Sequence, residues 1–241
     1  MIKFEKTEVY NIANAVYSAR NPLNSWTKSD SDLENNILGP KDIELCQKLI
    51  KGGPEHRKFL RQIIVSVDIT APLYWWKEFD TYKVGTVANS CSTMHTIHKK
   101  EFSREDFSTE KLMCGFVSDE TGEWCEQNFW DVTMNHIIEA LNIARYHYIK
   151  TKDKQYWYAM IQLLPTSYNQ KRTITMNYEN IRSMYFQRRN HKLDEWREGF
   201  VEWAKSLPYA DELIIFDPVY EEEKKILLDS EKLSKALMPA T

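Results

Sequence analysis

The stretch RQIIVSVDITAPLYWWKEFDTYKVGTVANSCSTMH, residues 61–95, sets the architecture. It opens with Ile63, Val65, Val67 and Ile69 alternating against Ile64, Ser66 and Asp68. A period of two marks a strand, and apolar residues on both faces predict one that is largely buried. Thr70 suits an N-cap and Pro72 a first helical turn, so APLYWWKEFDTY predicts a helix. The adjoining segment, FDTYKVGTVANSCSTMH at 79–95, has neither a helical nor a strand period. Small and hydroxylated residues cannot fill a core, so this segment is expected to wrap a ligand beside Trp75 and Trp76.

Upstream, residues 2–10 alternate loosely and predict a short strand, and NIANAVYSARN a short helix. SWTKSDSDLENN reads as an exposed loop. Pro40 opens a helix with Ile43, Cys46, Leu49 and Ile50 on one face, and Gly52-Gly53 stop it. Downstream, residues 99–130 predict a long irregular loop or flap. DVTMNHIIEALNIARYHYIKT is an amphipathic helix, and QYWYAMIQLLP a shorter one halted at Pro165. Asn177 caps a helix predicted to run to Ser206, roughly 45 Å at 1.5 Å per residue. Residues 211–241 predict a charged helical extension of a single domain spanning 1–241.

The wheel of the long helix holds a conflict. Ile181, Tyr185, Trp196, Phe200, Trp203 and Leu207 share an arc of about 100°. Arg182, Arg188 and Arg189 fall within or beside it. A buried guanidinium needs an anionic partner. That partner is an internal carboxylate or an anionic ligand, since the planar fork matches phosphate and carboxylate alike, unless the helix end is exposed and the arginine is solvated at the surface.

Bulk composition excludes several classes. The chain has 241 residues, 42% apolar, with a net charge of −3. That suits a real core and supplies no basic field for nucleic acid or an anionic membrane. Four cysteines (Cys46, Cys91, Cys114, Cys125) show no close pairing and read as free thiols. Glu5 and Glu8 stand where a secretory leader needs basic and then apolar residues. No apolar run approaches the roughly 18–20 residues of a membrane helix. The expectation is a cytoplasmic protein. Cys91, His95 and His98 stand at i, i+4 and i+7, and Cys125 or His136 could add a fourth zinc ligand, but nothing in the spacing demands it, so no metal is expected.

Taken in order, GGPEHRKFLRQ, a strand, ITAPLYWWKEF, LLPTSYNQKRTITMN and the helix after Asn177 resemble the flavin-dependent thymidylate synthases, the ThyX family. The family signature Arg-His-Arg, then Ser-x-Arg-Tyr, falls on TYKVGTVANSCSTMH. Here Thr81-Tyr82-Lys83 replaces the first element. Ser92 keeps the serine of the second, while Met94 and His95 replace its arginine and tyrosine. His56 stands at the family's turn histidine without the neighbouring hydroxyl, and Ala159 replaces an expected arginine.

The resemblance implies an α+β fold, an antiparallel sheet packed with several long helices. It implies a homotetramer with sites between subunits, binding FAD and a small-molecule nucleotide, with NADPH and methylenetetrahydrofolate as co-substrates. Ser92 and Arg189 would be catalytic. Glu78, Ser92, Arg182, Arg188 and Arg189 would hold the substrate dUMP or a related pyrimidine nucleotide. His56, Lys58, Tyr82, Lys83, Asn89, Arg172 and Asn177 would hold the flavin. The alternatives are a nucleotide-binding protein of this fold that has lost catalysis, and a structural or interaction protein.

Overall fold

The computed structural model describes residues 2–112, 115–118, 120–126 and 129–220. The elements run β1 (Lys3–Tyr10), α1 (Ile12–Ser18), α2 (Pro40–Lys51), β2 (Ile64–Pro72), α3 (Leu73–Phe79), β3 (Val87–Ser90) and α4 (Thr93–Thr96). Then come β4 (Gly115–Val117), β5 (Trp124–Glu126), α5 (Phe129–Thr151), α6 (Lys154–Leu163), β6 (Asn169–Asn177), α7 (Tyr178–Arg188) and α8 (Val201–Lys205). An antiparallel sheet has the order β1-β2-β6-β3, and β4 and β5 form a hairpin. The chain divides into two compact units, residues 1–7 with 67–174, and 8–66 with 175–241.

In the first unit, Trp75, Trp76 and Phe79 are buried on α3 and meet edge-to-face or stacked at 4.9–5.4 Å. These contacts add to the large apolar area each ring removes from water. The indole of Trp76 donates to the Gln170 carbonyl. A second cluster joins Ile97, Phe102, Phe107, Met134, Leu141, Ala144 and Met160, where α5 and α6 pack. The Asn142 amide accepts from the Phe102 N–H and donates to its carbonyl, which ties the 102 loop to α5. Strand β3 is exposed along its whole length.

The second unit packs α1, α2, α7 and α8 around Ile12, Val16, Cys46, Ile50, Leu60, Tyr178, Ile181, Trp196 and Phe200, all buried. Asp42 is buried on α2 and faces Arg20, Ser29 and Ser31. Gly53, at φ 96°, ends α2 in a conformation that disfavours a side chain.

Four expectations need correction. The helix starts at Leu73, not Thr70: β2 runs through Pro72, and the N–H groups of Leu73 and Tyr74 donate to the carbonyls of Tyr168 and Thr166. Residues 169–177, given no element from sequence, form β6; their polar side chains hide the alternation that buries Ile174 and Met176. The 99–130 region is not all loop, since it holds the β4–β5 hairpin. The helix after Asn177 is not continuous. It stops at Arg188, and the polar run Asn190-His191-Lys192 intervenes, where the His191 ring accepts from the Leu193 N–H. Helix resumes as a π-type turn over Glu195–Phe200. The charged helix expected beyond Tyr220 lies outside the described residues.

Candidate functional site

In the second unit, α7 begins with a capping box. The Asn177 side chain accepts from the Asn180 N–H, and Asn180 returns the bond. Asn177 therefore has a structural task of its own. Near the same end of α7, Glu179 receives Arg57 in a fork of bonds at 2.9–3.1 Å, both side chains mostly buried.

Arg182 is 5% exposed. Its Nη1 donates to the Ile214 carbonyl at 2.8 Å, and its guanidinium lies over the Phe186 ring at 4.7 Å. Burial first, then the neighbouring Arg57 charge, push it down to about 10, which leaves it cationic at neutral pH. Arg189 lies over the same ring at 4.9 Å and meets Asp217 at 3.6 Å. Arg188 instead covers the Trp196 indole at 5.2 Å. The three arginines thus do not form one cluster: Arg182, buried, and Arg189, open to solvent, share the Phe186 ring, and Arg188 stacks on an indole. The carboxylate expected in hydrogen-bond contact with the buried one is absent among the described residues; main-chain carbonyls serve Arg182 instead.

His56 and Lys58 open onto a cleft of about 480 Å³, lined also by Ser18, Asn21, Leu23, Leu45, Leu49, Phe59 and Gln62. Its walls are mainly apolar with a few polar tips, the usual make-up of a small-molecule site. The sequence singled out His56 and Lys58 alone, because the other walls come from α1, α2, the turns between them and the turn that follows Lys58.

In the first unit, the 79–95 segment is an edge strand and a short helix. The Cys91 N–H donates to the Lys171 carbonyl, and the Gln170 amide donates to the Cys91 carbonyl and to Thr93. Ser92 caps α4 by accepting from the His95 N–H at 3.3 Å, so its own O–H remains a donor. Lys83 and Asn89 are exposed; Glu78 and Tyr82 are half-buried. Arg172 is engaged. It meets Asp80 at 2.7 Å, donates to Gln170 and stacks on Trp76 at 4.2 Å. Cys91 and His95 are exposed, whereas the His98 ring packs on Tyr148, so they share no helical face. No group of three His, Cys, Asp or Glu among the described residues could hold a metal, and no described helix is long and apolar enough to cross a membrane.

No family model matches the chain, and no curated protein matches it in sequence. Solved structures do. The flavin-dependent thymidylate synthase ThyX of Helicobacter pylori, complexed with FAD and dUMP, aligns with a TM-score of 0.61 at 15% identity, over 89% of this chain and 97% of that one. The fold is that of the flavin-dependent thymidylate synthases. A UMP/dUMP methylase, PolB from Streptomyces cacaoi, bound with 5-Br dUMP, is similar with a TM-score of 0.54 at 16% identity, over 88% and 94%. The ThyX fold expected from the strand, the Ala-Pro helix start and the capping Asn177 is therefore present, while identity this low leaves the site to be argued from its own residues.

A fitted flavin needs a flat apolar wall and cations for its diphosphate. The cleft in the second unit has apolar walls and the Lys58 ammonium, which suit parts of such a group, with the Glu55 carboxylate beside them. Arg172 and Asn177 are held by bonds of their own.

Proposed function

We propose that this chain methylates uracil C5 of dUMP, or of a related pyrimidine nucleotide, as a flavin-dependent thymidylate synthase-like enzyme. Methylenetetrahydrofolate would supply the carbon and NADPH the electrons, in the cytoplasm, in a homotetramer with sites between subunits. The observation that carries this reading is the fold, shared over 89% of the chain with an enzyme whose crystals hold FAD and dUMP. Bound FAD would supply the redox chemistry. Lys58, His56, Tyr82, Lys83 and Asn89 would hold it. Arg189, with Arg182 behind it and Ser92 as a hydroxyl donor, would bind the nucleotide phosphate; Glu78 and Arg188 would line the substrate.

The test is direct. Freshly purified protein is expected to show a flavin absorption band and to bind dUMP in calorimetry. Arg189→Ala should weaken dUMP at least tenfold, since a hydrogen bond between charged groups contributes about 1.5–3 kcal/mol. Colourless protein that flavin does not stain and dUMP does not bind ends the proposal.

A second reading is favoured by one observation. Thr81-Tyr82-Lys83 offers one cation where the family has Arg-His-Arg, and the nearby Arg172 is tied to Asp80. A nucleotide-binding protein without catalysis would be stabilised by dUMP and not by FAD.

A further inference from the structure

We infer that Asp217 is a resident anion on Arg189 that competes with a nucleotide phosphate for this arginine. This rests on the reading of Arg189 as the phosphate ligand.

Arg57 and Glu179 pair in a close fork. Beyond that pair, Asp217 is the carboxylate that meets Arg189, and its charge also acts on Arg182. Arg182 is nine-tenths buried and, among the described residues, its hydrogen-bond acceptors are the carbonyls of Leu213 and Ile214. Arg189 stacks on the same Phe186 ring. Phe186 thus holds both guanidinium groups, two positive charges, on one ring.

Asp217 answers that charge only in part. Its Oδ2 stands 3.6 Å from Arg189 Nη1, beyond hydrogen-bond length. Its Oδ1 accepts the Val219 N–H at 3.2 Å, so the carboxylate is fixed by its own turn and does not close on the arginine. Asp217 also favours the charged form of Arg182, which puts it within electrostatic reach of both. The Arg189 side chain is 42% exposed, and its edge is open to an incoming ligand.

A loose, exposed pair of this kind shifts an equilibrium by at most about fivefold. A phosphate dianion brings more charge and a set of oxygens that matches the guanidinium fork, which is worth more than about tenfold. The carboxylate thus costs a phosphate-bearing ligand little.

The experiment compares Asp217→Asn with wild type by calorimetry against inorganic phosphate, dUMP and deoxyuridine. Asp217→Ser serves as a second variant, and melting curves check that both fold. Phosphate and dUMP should each bind about two- to fivefold tighter to both variants, and deoxyuridine should not change. Equal or weaker phosphate binding overturns the inference, as does an equal gain for deoxyuridine. Arg189→Ala separates the two levels. If it loses dUMP while Asp217→Asn gains nothing, only the role of Asp217 falls. If Arg189→Ala binds dUMP like wild type, the phosphate seat falls as well.

Discussion

Arg182 is bonded in a way that sequence alone could not show. Its position on the apolar arc of α7 marked it as a buried cation, and it is one. Its acceptors, the carbonyls of Leu213 and Ile214, lie some thirty residues away and carry no side-chain signature. Arg182→Met should therefore lower stability by about 2 kcal/mol in urea, because two carbonyls lose a charged donor. A change under half that size would mean water already serves them. Cysteine chemistry gives a second check. Burial, and then the Asp42 charge, push the Cys46 thiol far up, while Cys91 is exposed. In a Cys114→Ser, Cys125→Ser background, a maleimide should label one thiol in the native protein and the second only in denaturant.

At the scale of elements, the legible parts were those that periodicity or a cap betrays. β2 announced itself through Ile63, Val65, Val67 and Ile69, and α7 through Asn177. β6 did not, because only Ile174 and Met176 of its nine residues are buried and the rest read as polar loop. The break after Arg188 was missed for a related reason: Trp196, Phe200 and Trp203 continue the apolar arc, so the wheel runs past an interruption made by Asn190, His191 and Lys192. The candidate site was legible only as residue types. The cleft walls at Ser18, Asn21 and Gln62, and the carboxylate of Asp217, come from separate parts of the chain with no common motif. Asn177 tests which role it plays. Asn177→Ala should cost about 1 kcal/mol through the lost cap, and Asn177→Asp should restore it. Flavin affinity that falls in the alanine variant and stays lost in the aspartate variant would add a ligand role to the structural one.

Across the whole molecule, one source of acid sensitivity is the buried group at Asp42. Burial raises its pKa, but the hydroxyls of Ser29 and Ser31 and the Arg20 guanidinium outweigh that and hold it below the usual carboxylate range. A depressed pKa gives stability that is complete above the unfolded value of about 3.9 and disappears as pH falls through the folded one. Asp42→Asn should lower stability at pH 7 and flatten its decline below about pH 4. A parallel decline in both proteins would place the acid sensitivity elsewhere. The same unit shows why composition spoke to fold and not to chemistry. An apolar content of 42% is enough to build these cores. The substituted signature at 81–83 leaves them untouched, since those residues stand at or near the surface.

The link between α7 and the main chain at 213–214 sets a limit on where this polypeptide can end. A stop codon placed ahead of Leu213 would remove both acceptor oxygens together with the oily cover of Leu213 and Ile214. Shortened versions ending at Tyr209 should be found in inclusion bodies or degraded.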